Sequence, residues 1–170
     1  MFSRGKNLDV KADATPAQQH APAELSGNVL WLMASSGPHR HVFAGDFEWL
    51  VIPALANRQF RLFRRDNVPL AYVSWAFLSE ETEERFKRGE VKLAPKEWTA
   101  GDRVWIVDLV TPYGAELQIL KDLHDSVFVD PGQVNMIVAS VGAKKIVTLA
   151  ELCAAMKARE ELGETESAKV

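Results

Sequence analysis

The sequence lacks most of the features that would place it in a common functional class. Of its 170 residues only Cys153 is a cysteine, so the chain can form no intrachain disulfide and no cysteine cluster for zinc. No apolar run approaches the roughly 18 residues of a membrane span, and a net charge of -3 gives no general case for nucleic-acid binding. A phosphate loop and the motifs GxGxxG, GxSxG and HExxH are also absent. We therefore predict no metal site, no nucleic-acid partner and no membrane span.

Length and composition predict one folded domain between two tails. With 47% hydrophobic residues, the chain can bury one sizeable core, and we place this domain at 25–162. Residues 1–24 are rich in Ala, Pro, Gln and Asp and lack the hydrophobic core of a secretion signal, so we predict a disordered tail there. Residues 163–170 are predicted to form a second, polar tail. The absence of a signal predicts a cytoplasmic protein.

Hydrophobic periodicity predicts two helices, two strands, a helix, a strand, a helix, one or two strands and a last helix. This order is typical of an α/β fold with a mixed central sheet flanked by helices. The first helix should begin near Ser26, and the second should present one apolar face from Phe43 to Leu55. Ser79 should cap the helix after the strand pair, while Thr148 and Glu151 should form a capping box at the last helix.

Asp108 is chemically the most informative residue. It lies inside Val104–Val110, a run that is typical of a buried strand, where a carboxylate is costly unless something pairs with it or uses it. The run ends in Thr111–Gly114, a sharp exit into helix-like sequence. One interpretation is a reactive site at the end of a core strand. The other is structural, with Asp108 capping the turn or pairing with an arginine.

Only two of the four histidines lie close together in the sequence. His39 and His41 lie two positions apart in a loop, next to Ser35, Ser36 and Arg40, and no acidic or thiol group is near them in sequence. This setting argues against metal binding. The other two histidines lie in the N-terminal tail and on a charged helix, where a solvated position is expected, and they are His20 and His124.

Three segments resemble the RTX toxin-activating lysine acyltransferases. They are Gly27–Arg40, Leu70–Ser79 and Glu97–Asp108, the last continuing to Gly114, and they occur in family order with family-like spacing. The resemblance implies a fold like that of the GNAT-type acetyltransferases and an enzyme that acylates internal lysines of an RTX-type protoxin in the cytoplasm, before export. The implied donor is acyl carrier protein, which presents the fatty acyl group as a phosphopantetheine thioester. No bound cofactor is implied, and family members can be homodimers.

The resemblance also implies the catalytic residues. The family's essential histidine matches His39 and its essential aspartate matches Asp108, while Ser36 matches a supporting serine. The chemistry is consistent with this, because a lysine amine has a pKa of about 10.4 and must lose a proton to attack a thioester. Histidine is a natural base, and a carboxylate can hold its ring in one tautomer. The sequence leaves open whether His39 acts only as a base or also carries the acyl group.

The donor would need a basic docking surface, because carrier proteins are acidic. Arg58, Arg61, Arg64 and Arg65 place four positive charges in eight residues, and Lys144 with Lys145 is a second candidate. Alternatively, these arginines form the solvated face of an edge strand.

Two other functions are compatible with the sequence. One is a non-catalytic binding module or chaperone for a secreted protein. The other is a CoA-dependent GNAT-type acetyltransferase, although such enzymes usually hold pyrophosphate in a Gly-rich loop before a helix. Here only Gly114 occupies the corresponding turn.

Overall fold

The protein is described by a computed structural model, which covers residues 11–12, 21–140 and 143–167. Within these residues a six-stranded mixed sheet has the strand order β1-β2-β3-β4-β5-β6. All neighbouring strands are antiparallel except β4 and β5, which are parallel. The predicted α/β class with a mixed central sheet is therefore confirmed. The strands are β1 (Lys11–Ala12), β2 (Phe60–Arg65), β3 (Val68–Leu78), β4 (Arg103–Val110), β5 (Asn135–Ser140) and β6 (Ala143–Thr148).

Helices cover both faces of the sheet. The first face packs against α1 (Pro22–Ser35), α2 (Phe47–Leu50), α3 (Ile52–Asn57) and α4 (Glu80–Lys87) through two buried clusters. The second face packs against α5 (Glu116–Ser126) and α6 (Leu149–Ser167) through a third. The sheet is thus the middle layer of three, as the hydrophobic pattern predicted.

Helix α1 begins at Pro22. The start near Ser26 that the sequence predicted is therefore wrong. Proline suits the first turn of a helix, because its φ angle is preset and its missing N–H would have no partner inside the helix. Neither Ser26 nor Asn28 caps the helix, and the Asn28 amide instead donates to the carbonyl of Glu24 at 2.9 Å.

The single amphipathic helix predicted from Phe43 to Leu55 is wrong. The structure has a 3₁₀ turn at Ala44–Asp46, followed by α2 and α3, which are separated at Val51. Pro53 explains the break, because it has no N–H to donate to the carbonyl of Trp49 one turn earlier. That carbonyl accepts the indole N–H of Trp98 instead, at 3.2 Å.

The predicted caps of the later helices are confirmed. The Ser79 hydroxyl accepts a hydrogen bond from the backbone N–H of Thr82 at 3.3 Å, at the start of α4. At α6, the Glu151 carboxylate accepts from the Thr148 N–H at 2.8 Å, and the Thr148 hydroxyl accepts from the Glu151 N–H at 3.2 Å. Both helices therefore begin where local side-chain chemistry places them.

Regular structure extends into both predicted tails. Strand β1 pairs with β2 through Lys11↔Arg64 and Ala12↔Phe63, and α6 runs to Ser167. The extension of α6 follows from its composition, since Ala, Leu, Glu, Lys and Arg are strong helix formers and the single Gly163 costs about 1 kcal/mol. Residues 1–10, 13–20 and 168–170 of the predicted tails lie outside the described residues. Across the described part of the chain, no helix is long and apolar enough to cross a membrane.

The sheet opens between β4 and β5. Parallel pairing of β4 with β5 is limited to Trp105↔Asn135 and Ile106↔Met136, although both strands continue beyond these pairs. Asp108 lies two positions beyond the last pair.

Strand β4 also carries one extra residue relative to β3. Ser74 lies opposite Asp108, but the next residue, Trp75, lies opposite Ile106, so that Val107 has no counterpart. Such a bulge reverses the side on which the following side chains lie.

Gly101 should be intolerant of any side chain. A Cβ atom there would lie 2.3 Å from the carbonyl oxygen of Leu78 and 2.8 Å from the Cα of Ser79, and backbone atoms cannot move aside cheaply. We expect Gly101→Ala to lower the free energy of unfolding by about 2 kcal/mol or more, as overpacking does. Gly27→Ala is the matched control, because that Cβ would meet nothing within 4 Å and alanine favours helix α1 by about 0.5–1 kcal/mol. Urea denaturation of both variants measures the difference, and equal stabilities would contradict the prediction.

Candidate active site

The end of α1 delivers a serine and a histidine to the first face of the sheet. Ser36 is the C-cap of the helix and is 5% exposed. Its carbonyl accepts the backbone N–H groups of His39 at 3.2 Å and Arg40 at 3.0 Å, which closes a tight turn around Gly37–Pro38. The turn brings the Ser36 Oγ atom to 2.7 Å from Nδ1 of the His39 ring.

The bulge in β4 turns Asp108 toward this serine and histidine. Ile106 and Leu109 both pack in the core of the second face, and Val107 and Val110 both pack on the first. Residues three positions apart in a regular strand would lie on opposite faces, so the alternation reverses at the extra residue. Without the bulge, Asp108 would lie on the same side as Ile106, behind the sheet and away from α1.

Folding brings His39 and Asp108 together from 69 positions apart in sequence. The distance from His39 Nε2 to Asp108 Oδ1 is 2.8 Å, and the two side chains are 19% and 11% exposed. The same Oδ1 atom accepts the backbone N–H of Leu109 at 3.0 Å. Asp108 is therefore paired with a histidine, which differs from the arginine pair or turn cap considered in the structural interpretation of the sequence.

The hydrogen bonds define the tautomer of the neutral ring. A carboxylate only accepts hydrogen bonds, so the nitrogen that faces Asp108, Nε2, carries the proton. The lone pair is then on Nδ1, where the Ser36 hydroxyl donates to it. Ser36, His39 and Asp108 thus form a continuous chain in which a hydroxyl, a base and an orienting carboxylate follow one another, an arrangement suited to moving a proton.

The pairing raises the pKa of His39 above its ordinary value of 6.5. The hydrogen bond to Asp108 is the largest cause, burial opposes it, and the negative charge of Asp108 adds to the increase. A base with a raised pKa holds a proton more firmly, which suits a group that must take one from an amine.

The four predicted docking arginines do not form one free surface. Arg61 is paired with Asp122 at 3.0 Å, and Arg64 is buried and paired with Glu24 at 3.5 Å. The remaining two are exposed. Because β2 lies between β1 and β3, the alternative of a solvated edge strand is incorrect at Phe63–Arg64. Tertiary partners far away in sequence account for the difference. The two exposed members are Arg58 and Arg65.

A second basic surface lies where α4 ends against β5 and β6. A cavity of about 460 Å³ is found there, which we term the lysine cleft. Lys144 and Lys145 are exposed and have no ion-pair partner among the described residues, whereas Lys87 is held by Glu83 and Glu84 and Arg88 by Glu90. The sequence indicated the two lysines but could not place α4 beside them. The cleft is lined by Lys87, Arg88, Gly89, Ile137, Lys144, Lys145 and Ile146.

Two buried hydroxyls near Asp108 were missed in the sequence. Ser74 lies directly opposite Asp108, and Tyr72 lies two positions earlier in β3, with both residues at 0% exposure. A signal was available in retrospect, because polar groups at alternate positions of a strand share one face. Only the register of β3 against β4 shows that this face is the one with Asp108.

The chain matches one protein family along most of its length. A model of the RTX toxin acyltransferase family matches residues 18–151. The chain is similar to the leukotoxin-activating lysine-acyltransferase of a Pasteurella haemolytica-like species, with 41% identity over 59% of this chain and 61% of the relative. It is 43% identical to the protein-lysine myristoyltransferase of Escherichia coli over 55% of this chain and 53% of the relative. The RTX-II toxin-activating lysine-acyltransferase of Actinobacillus pleuropneumoniae is 36% identical over 67% and 71%.

The pair of His39 and Asp108 should stabilise the fold most at low pH. Because the folded pKa of His39 is above 6.5, its contribution is fully present below pH 6.5 and is lost as the pH rises through the folded value. We therefore expect Asp108→Asn to reduce the free energy of unfolding more at pH 6 than at pH 9. Chemical denaturation at both values measures this.

The control is a histidine–aspartate pair at the surface. His124 and Asp125 are 2.7 Å apart, but their side chains are 38% and 68% exposed. Exposed pairs contribute little, so Asp125→Asn should change the free energy of unfolding only slightly. A pH-independent loss in Asp108→Asn would contradict the raised pKa.

Proposed function

The chain belongs to the RTX toxin acyltransferase family, and on that premise we propose that it is a protein-lysine N-acyltransferase that activates an RTX-type protoxin. The fatty acyl group would come from acyl carrier protein and go to internal lysines of the protoxin, in the cytoplasm, before export. The aligned segments span 61% and 53% of the length of the first two relatives, whose names describe lysine acyl transfer. The observation that carries the proposal is the 2.8 Å hydrogen bond between His39 and Asp108.

The reaction follows from the three-residue chain. The neutral lysine amine attacks the thioester carbonyl, so that a C–N bond forms as the C–S bond breaks. The amine proton passes to the Ser36 oxygen while the Ser36 proton moves to Nδ1 of His39. The imidazolium then returns this proton through Ser36 to the thiolate released from the carrier protein, which becomes a thiol and leaves His39 neutral again. Asp108 keeps the ring oriented and stabilises its positive form.

The geometry favours His39 as a base over His39 as an acyl carrier. A nucleophilic nitrogen must direct a free lone pair at the thioester carbonyl. In this site Nε2 is engaged with Asp108, and Nδ1 is engaged with Ser36. The wild-type enzyme should therefore transfer the acyl group without accumulating an acylated His39, and Ser36→Ala should slow the transfer because the hydroxyl that relays the proton is lost.

The sheet opening supports a donor that enters beside Asp108. Strands β4 and β5 separate after Ile106 and Met136, and Asp108 lies at the start of the unpaired part of β4. The long phosphopantetheine arm of a carrier protein can bring its thioester carbonyl to that point from outside the domain.

The start of α5 argues against CoA as the donor. Gly114 and Ala115 both have positive φ angles, and no side chain caps the helix. Glu116 occupies the first turn and accepts a hydrogen bond from Thr111 at 3.0 Å. A carboxylate at this helix end repels a pyrophosphate, which would otherwise be attracted by the helix dipole.

The test of the proposed function is the intact mass of a co-expressed protoxin. Wild-type enzyme should add fatty acyl mass, His39→Ala should add none, and Asp108→Asn should react about a hundredfold or more slowly. His41→Ala is the matched control, since this neighbouring histidine is exposed and should be dispensable. If the folded wild type binds the protoxin without changing its mass, a binding module or chaperone is the better assignment.

The lysine cleft is the better of the two candidate docking surfaces for the carrier protein. Lys145 lies opposite Val138 in the β5–β6 ladder, and Val138 lies two positions beyond Met136, as Asp108 lies two positions beyond Ile106. The exposed lysines thus lie across the opening from the catalytic carboxylate. The arginine surface of Arg58, Arg61, Arg64 and Arg65 remains the second candidate.

Charge reversal should distinguish these surfaces. We expect Lys144→Glu with Lys145→Glu to raise the KM for acyl carrier protein about tenfold and to flatten its salt dependence, with little change in kcat. The matched control is Arg58→Glu with Arg65→Glu, which reverses two equally exposed charges. Arg61 and Arg64 are poor probes, because their replacement breaks ion pairs with Asp122 and Glu24.

Each outcome has one meaning. A raised KM only in the arginine variant would move the docking site to the arginine surface. Equal rates with acyl-CoA and acyl carrier protein in the wild type would overturn the donor assignment itself.

A further inference from the structure

Three buried oxygen atoms beside the catalytic pair have no hydrogen-bond partner among the described residues. They are Tyr72 Oη, Ser74 Oγ and Asp108 Oδ2. Leaving a buried polar group unsatisfied is destabilising, and folded proteins contain few such groups. Three of them on two adjacent strands, one belonging to the carboxylate that binds His39, therefore call for a functional explanation.

The β4 bulge assembles these oxygens on one side of the sheet. Tyr72 and Ser74 are two positions apart in β3 and so share a face. Tyr72 packs in the same buried cluster as Val110, its partner in β4, on the first face. Asp108 is the partner of Ser74 and is turned to that face by Val107. Without the extra residue, the carboxylate would lie on the opposite side from both hydroxyls.

The two hydroxyls and the carboxylate influence one another. Burial is the main cause of a strongly raised pKa for Tyr72. The Ser74 hydroxyl, which is close to the phenol but outside hydrogen-bonding geometry, opposes the increase, and the charge of Asp108 adds to it. Tyr72 therefore keeps its proton throughout the physiological range and can act as a donor. Among the described residues, Asp108 is the only charged group that shifts the pKa of either Tyr72 or His39.

We infer that Tyr72 and Ser74 are positioning residues for Asp108, whose hydroxyls donate hydrogen bonds that reach Oδ2 through one shared water molecule. Buried waters commonly make about three hydrogen bonds, and a water between β3 and β4 on this face would have these three oxygens as its partners. The water accepts from both hydroxyls and donates to Oδ2, so every group uses its ordinary capacity.

This arrangement would hold both oxygens of the Asp108 carboxylate. The His39 ring and the Leu109 N–H already bind Oδ1. A bond to Oδ2 stops the carboxylate from rotating, and the direction of the Oδ1 lone pairs toward Nε2 is then fixed. Tyr72 and Ser74 would touch neither the thioester nor the lysine, and would act only through Asp108.

The inference rests on the proposed acyl transfer and is tested by Tyr72→Phe and Ser74→Ala. Each variant should lower kcat about tenfold per folded molecule, in line with the loss of a hydrogen bond to a charged group, with unchanged KM for donor and protoxin. In an Asp108→Asn background the same substitutions should cost less than about twofold, because their effect passes through the carboxylate.

A control variant separates positioning from simple loss of packing. Leu62 is buried and lies opposite Tyr72 in β2, on the side away from Asp108. Leu62→Ala should lower stability more than Tyr72→Phe but leave kcat per folded molecule close to that of the wild type. Tyr72→Phe with wild-type kcat and unchanged or higher stability would overturn the inference, since the hydroxyl would then be only a buried polar group.

A second measurement does not depend on activity. The His39 ring can be titrated by NMR in the resting enzyme, and its pKa should change in both Tyr72→Phe and Ser74→Ala. If the wild type transfers no acyl group, the proposed function fails while this titration still decides the positioning role. If both variants titrate as the wild type does, the positioning role is wrong.

Discussion

The site depends on the cost of burying the Asp108 carboxylate in a central strand. A buried negative charge persists only if donors surround it, and here two are close at hand: the ring of His39 at the end of α1 and the backbone N–H of Leu109. The extra residue Val107 makes this possible by turning the carboxylate to the face that α1 covers. The carboxylate therefore needs the end of α1, the bulge and the register of β3 against β4 together.

Much of the fold was predictable because local chemistry defines it. The hydroxyl of Ser79 and the paired Thr148 and Glu151 set the start of their helices without tertiary help. The wrong helix boundaries also have local causes, because two local sequence signals compete at each of them. The apolar spacing from Phe43 to Leu55 fits one helix, yet Pro53 overrules it. Similarly, Pro22 rather than Ser26 begins α1, because preset backbone geometry outweighs a side-chain cap.

The site was predictable only in part. The buried position of Asp108 made it a candidate from the sequence alone, whereas the resemblance to a family was needed to choose His39. No local signal shows a bulge of one residue, so the side on which Asp108 lies had to come from strand register. The ion pairs of the predicted arginine surface were hidden for a related reason, since Glu24 and Asp122 reach Arg64 and Arg61 only in the folded chain.

The carbonyl of Trp49 links two positions that are far apart in sequence. Pro53 frees this carbonyl from its helix, and the indole of Trp98 takes it up at 3.2 Å, while the Trp98 carbonyl accepts from Gln59 at 2.9 Å. Another residue at position 53 would supply an N–H that competes with the indole, and another residue at position 98 would strand the carbonyl. In evolution the two positions are therefore expected to change together, so that a substitution harmless in one relative is damaging in another.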